Sequence, residues 1–325
     1  MARCASTVDC AGVLDPMPSG QKQTKHGGCN ANCVPDANCY GAPSPSSRRR
    51  WLADCCRFFG AVMGVSVARA AEAASWPHEV QWGRFRFLGD RPLGEAKQWA
   101  EHLEELAGRM ARELELARAD APIAVMVLGN QQILDRYLER YYPEVGGRRS
   151  LFLRHQDRSQ VFVCRHPGLV EDLRHEVCHA LLHLSVPNLP VWIDEGIAEY
   201  YEVPDDSEAL HPVHGSRIAW LVRLGHAPSL KAMEQDSFDP GSSTGSYGDA
   251  WGWIHFLMTH SEVSRRVLVD HLAAMHAGDD RSTLHQRLER SLGNPRLAFL
   301  RHYQAAVAKE GAPVASTANT SGATP

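Results

Sequence analysis

The sequence predicts an α+β chain, a small N-terminal sheet with helices followed by a mainly helical half, and three observations carry that prediction. Period-2 alternation and short apolar runs are concentrated between residues 78 and 164. Apolar residues at helical spacing dominate after residue 168. The resulting order, strand, helix, strand, helix, strand, strand and then helices, does not alternate as a parallel α/β fold would. At 325 residues the chain can bury a sizeable core as one large domain or two average ones. The net charge of -4, with 44% hydrophobic and 22% charged residues, provides no global basic field, so nucleic acid is not an expected partner.

Residues 1–47 are rich in Gly, Pro, Ser, Asn and Cys and lack either periodicity, so they are expected to be disordered. Cys29, Cys33 and Cys39 lack the paired C-x2-C units of a metal knuckle. Residues 48–71 combine Arg48, Arg49 and Arg50, an apolar run from Phe58 to Ala68 and an Ala-Arg-Ala-Ala end. These are the parts of a secretory signal with a twin-arginine-like start, and the run is too short to span a bilayer. Export to the periplasm or the extracellular space is the expectation. Residues 1–46 are then an upstream extension, and the mature chain starts near Ala71.

The globular part is expected over residues 78–310. Val80 to Leu88 alternates and reads as one strand kinked at Gly83. Pro92 to Arg118 carries Ala96, Trp99, Leu103, Leu106, Met110 and Leu114 on one helical face. Ile123 to Leu128 is a compact buried strand, Gln131 to Tyr141 a helix, and Pro143 to Arg149 a loop. Leu151 to His155 and Gln160 to Cys164 form an expected antiparallel pair. Leu169 to Ser185 is a helix, and Pro187 and Pro190 punctuate the turn to a second through Trp192–Tyr201. Packing helices follow around Val263 to Met275, Ser282 to Leu292 and Leu297 to Val307, and residues 311–325 form a disordered tail.

The first of the two central helices contains His175-Glu176-x-x-His179. Residues at i and i+4 lie one above the other, so both imidazoles can reach one tetrahedral ion, and Glu176 projects beside it to take a proton from water. A shuffled chain of this composition would hold such a pattern roughly one time in twenty, so the motif needs a third ligand. Glu195 and Glu199, four apart on the second helix, offer one: either carboxylate can ligate while the other sits a turn away, where it can hold His175 or His179 by the second ring nitrogen. His183 continues the i+4 row but is too distant to be a third ligand, and it is read as a supporting or core residue. Cys178 is read as a small apolar residue. His211, His214 and Arg217 are read as surface polar residues, with substrate binding at a cleft mouth as the alternative.

On these residues the chain resembles the gluzincin metallopeptidases, and more closely the bacterial families with H-E-x-x-H followed by a short P-x-W-x-x-E-G-x-A-E-Y segment, here Pro190 to Tyr200. The resemblance spans about residues 80–272, its specific part residues 174–201. It implies a zincin-type catalytic half, Zn2+ as cofactor, His175, His179 and Glu195 as ligands, Glu199 behind them, and peptide or protein substrates. Tyr247, in S-Y-G-D-A, is similar to the tyrosine that binds the oxyanion in some members. Fifteen residues separate His179 from Glu195 and nineteen separate it from Glu199. The first spacing is shorter than in the best-studied gluzincins, which leaves the choice of third ligand open. The metzincin pattern fails, because Leu182 and Ser185 stand where it needs Gly and His. The alternatives to a peptidase are a catalytically silent binding module with the same fold and a structural domain.

Overall fold

A computed structural model of the chain describes residues 76–117, 121–145, 147–155, 158–203, 211–235, 247–279 and 281–310. The Cys-rich extension, the signal-like segment and the C-terminal tail lie outside the described residues.

Five strands form one mixed sheet: β1 (His78–Trp82), β2 (Phe85–Gly89), β3 (Ile123–Leu128), β4 (Ser150–His155) and β5 (Arg158–Cys164), in the order β1-β2-β3-β5-β4. β2, β3 and β5 run parallel, while β1 and β4 pair antiparallel at the two edges. β3, and β5 from Val161 onward, are continuous apolar runs because both faces are covered there, whereas β2 exposes Arg86. On one face Phe85, Phe87, Ile123, Val125, Val127, Val161 and Val163 share a core with α1 (Ala96–Glu113) and α3 (Leu169–Ser185). On the other, Met126, Leu128, Phe162 and Cys164 pack with Leu134 and Leu138 of α2 (Gln131–Tyr141).

Three sequence expectations need correction. Val80 to Leu88 is a hairpin rather than one kinked strand, with Gly83 at φ +56 in the turn. The alternation reads through the turn because both strands present apolar residues to α1. The first helix is shorter at both ends than Pro92–Arg118, ending at Glu113 with Leu114 as its C-cap, just before Glu115, whose φ of 51 breaks the helix. Pro143–Val145 is a 3-10 turn inside the expected loop.

The second half contains α4 (Val191–Glu202), α5 (Gly215–Arg223), α6 (Leu230–Gln235), α7 (Tyr247–Thr259), α8 (Glu262–His276), α9 (Leu284–Leu292) and α10 (Pro295–Glu310). Capping boxes start α8 at Ser261 and α9 at Thr283. α3, α4 and α7 are buried on nearly every face, α4 packing against both others. Among the described residues no helix is long and apolar enough to cross a membrane.

The α4–α7 contact explains the glycine after Glu195. A Cβ on Gly196 would stand 2.9 Å from the Ala250 carbonyl oxygen and 2.7 Å from an Ile254 side-chain carbon. Backbone cannot yield as a side-chain tip can, so Gly196→Ala is expected to destabilise the fold by about 1–3 kcal/mol, read from urea unfolding. An unchanged midpoint would mean that α7 is free to shift.

Candidate metal centre

α3 and α4 meet in opposite chain order, and three atoms converge between them. His175 Nε2 lies 3.2 Å from His179 Nε2, and Glu195 Oε2 lies 3.5 Å and 3.7 Å from these two nitrogens. Donors bound tetrahedrally at about 2.1 Å must stand about 3.4 Å apart, so the triangle fits a small tetrahedral ion. Two imidazoles and a carboxylate also suit a borderline transition metal better than an all-oxygen ion. Of the two acids offered by the sequence, Glu195 is the one whose oxygen meets both rings.

The second ring nitrogens go to acids other than Glu199. His175 Nδ1 is 3.1 Å from Glu202 Oε2, and His179 Nδ1 is 2.9 Å from Asp194 Oδ1. Asp194 Oδ2 in turn lies 2.9 Å from His183 Nε2, which assigns His183 a supporting role. Glu199 instead presents Oε2 to His214 Nε2 at 2.8 Å, with a carboxylate oxygen within 4.8 Å of a His175 ring nitrogen, so it neighbours the His pair without being the acid that meets either Nδ1. The reason is helical phase. At 100° per residue, i+4 turns Glu199 about 40° from Glu195, whereas i+7 brings Glu202 back to within about 20°. Antiparallel packing then sets Asp194 beside His179 and His183 and sets Glu202 beside His175.

Two further side chains hold this arrangement. Phe152 of β4 stacks against His179 at 6.4 Å and lies 5.6 Å from His183. The buried guanidinium of Arg174 donates to the carbonyls of Tyr201, Glu202 and Val203 at 2.9–3.1 Å, securing the C-terminal end of α4 and with it Glu202. Asp194, Glu202 and Arg174 were missed by sequence reasoning, although each adjoins a motif residue or ends the E-Y-Y-E run. Their signal is proximity alone, which does not say where a side chain points.

Glu176 is buried, and Ser150 at the start of β4 hydrogen-bonds its carboxylate. Burial raises its pKa above the ordinary carboxylate value, against the pull of His175 and His179. Burial likewise pushes the Cys178 thiol up to about 12, consistent with an apolar packing residue and not a thiolate ligand. The acids overcome burial on the imidazoles: desolvation disfavours charge, but Glu195 and Glu202 raise His175 well above its usual range. On His179 desolvation likewise opposes charge, yet Asp194 and Glu195 bring the pKa to about 9.

Tyr247 is buried at the first position of α7, the helix packed on α4. His211 and His214 are also buried, stacked at 4.6 Å, not the surface residues expected. Arg217 is engaged by Asp249 in a forked pair at 2.9–3.1 Å, tying α5 to α7. No protein-family model matches the chain, and no curated protein matches it.

Proposed function

We propose that this protein is a zinc-dependent metallopeptidase of the gluzincin type, with His175, His179 and Glu195 as ligands and Glu176 as general base. The observation that carries the reading is the tetrahedron-sized triangle of two Nε2 atoms and one carboxylate oxygen, with Glu176 adjacent in sequence to a ligand and buried. When bound, zinc supplies a Lewis acid that acidifies water and polarises a carbonyl oxygen.

The chain's own residues supply the rest. Glu176 takes a proton from the attacking water and returns it to the leaving amine nitrogen, and the upward shift that burial gives its carboxyl favours holding that proton between the two steps. Glu202 hydrogen-bonds His175 at Nδ1 and the Asp194 carboxylate stands 2.9 Å from His179 Nδ1, which orients both rings. Tyr247 is assigned the donor to the oxyanion. Tyr247→Phe is then expected to lower kcat by about 10²-fold with little change in KM. An unchanged kcat removes Tyr247 from the mechanism.

A peptide substrate is supported by β4. It is one of the two edge strands of the sheet, and its first residue touches Glu176, so an extended chain pairing with that edge would pass the base. Action outside the cytoplasm is supported by the signal-like composition of residues 48–71.

The test is elemental analysis of purified full-length protein together with cleavage of a broad peptide mixture. About one zinc per chain, with cleavage abolished by chelation and restored by zinc, is the expected result. Stoichiometric zinc without cleavage favours the binding module. No metal at all favours the structural domain.

A further inference from the structure

Behind the metal ligands lie three buried side chains that the proposed reaction does not use, His211, His214 and Glu199, beside the half-buried Glu202. Glu199, His211 and His214 bring potential ligand atoms within 4.8 Å of one another, which by distance alone reads as a second metal site. The hydrogen bonds of His211 argue otherwise. The backbone N–H groups of Val213 and His214 donate to His211 Nδ1 at 3.1 Å and 3.3 Å. A ring nitrogen that accepts carries no proton, so the proton of this ring sits on Nε2, which faces Glu202 Oε1 at 3.3 Å. The nitrogen available to a second ion is therefore a donor.

We propose that His211 is a positioning residue for the metal site, acting through Glu202. The turn amides set the His211 tautomer, and its Nε2–H donates to Glu202 Oε1. That leaves Glu202 Oε2 to accept from His175 Nδ1–H at 3.1 Å. With its proton held on Nδ1, His175 turns the Nε2 lone pair toward His179 and Glu195. The arrangement repeats on the other ligand, where Asp194 stands between His183 and His179. The inference rests on the reading of His175 as a ligand.

Two substitutions separate positioning from turn capping. His211→Asn keeps an acceptor where Nδ1 stood and loses the donor to Glu202. His211→Gln extends an N–H to the reach of Nε2 and loses the acceptor for the turn amides. In full-length protein, zinc affinity by chelator competition is expected to fall about 10–100-fold in His211→Asn and to return toward wild type in His211→Gln. The visible spectrum of the cobalt-substituted protein should change in the Asn variant and not in the Gln variant. Urea unfolding of each metal-free variant reports the turn separately. Loss in Gln alone, equal loss in both, or wild-type affinity in Asn overturns the proposal while leaving the metallopeptidase reading intact. A wild-type protein that binds no zinc overturns both.

Discussion

Replacing Glu176 with Gln is expected to reduce kcat/KM on a peptide substrate by about 10²–10⁴-fold while zinc remains at about one per chain. The amide keeps the shape of the side chain and can still meet Ser150, so the fold has no reason to change. What it loses is the ability to accept and return a proton. The contrast with His175→Ala makes the result interpretable, since that variant removes one of the three converging donors and should lose metal and activity together. Steady-state kinetics and metal analysis on the same preparations give both readouts. A Gln variant with wild-type kcat/KM would remove Glu176 from proton transfer, and one that loses zinc would mean that the residue serves the site's structure.

Zinc affinity is expected to climb steeply with pH. Without metal, burial disfavours charge on His179, but Asp194 and Glu195 outweigh it and hold the ring near about 9, while Glu195 and Glu202 raise His175 well above its ordinary range. A ligating imidazole must give up its Nε2 proton, so protons compete with the ion. Below about pH 9, apparent affinity should fall about 10-fold per pH unit for each proton displaced, and up to about 100-fold when both rings are involved. Chelator competition between about pH 6 and 8, with calorimetry in buffers of different ionisation enthalpy, measures the slope and the protons released. A flat profile over that window would mean that the rings are already unprotonated and that the acids do not act as described.

The same groups set opposite trends in stability. A folded-state pKa raised above the unfolded value stabilises the protonated protein fully below about 6.5, and that contribution is lost as pH rises through about 9. Metal-free protein should therefore lose this part of its stability over that window. The zinc-loaded form, whose ligands carry no Nε2 proton, should gain Tm relative to it over the same range.

Much of the fold was legible because periodicity reports burial. Ile123–Leu128 reads as a buried strand since both faces of the sheet are covered there, and Leu151–His155 and Gln160–Cys164 read as an antiparallel pair, which they form. The helix carrying His175 and His179 is legible from its apolar content and from the prolines that follow it. Gly83 was misread because a hairpin that presents the same face before and after its turn preserves alternation across it.

The site divides along the same line. The local spacing His175-Glu176-x-x-His179 and the neighbouring Glu195 and Glu199 are properties of sequence, because helix geometry sets which residues share a face. Those residues alone specified two aligned imidazoles, an adjacent carboxylate and a choice of two further acids. Only the tertiary structure decided that Glu195 meets the pair, that Glu202 and Asp194 stand behind it, and that His211 comes from beyond α4 to hold Glu202. Those contacts depend on the phase and antiparallel register of two packed helices, which long-range packing fixes and no spacing within either helix encodes.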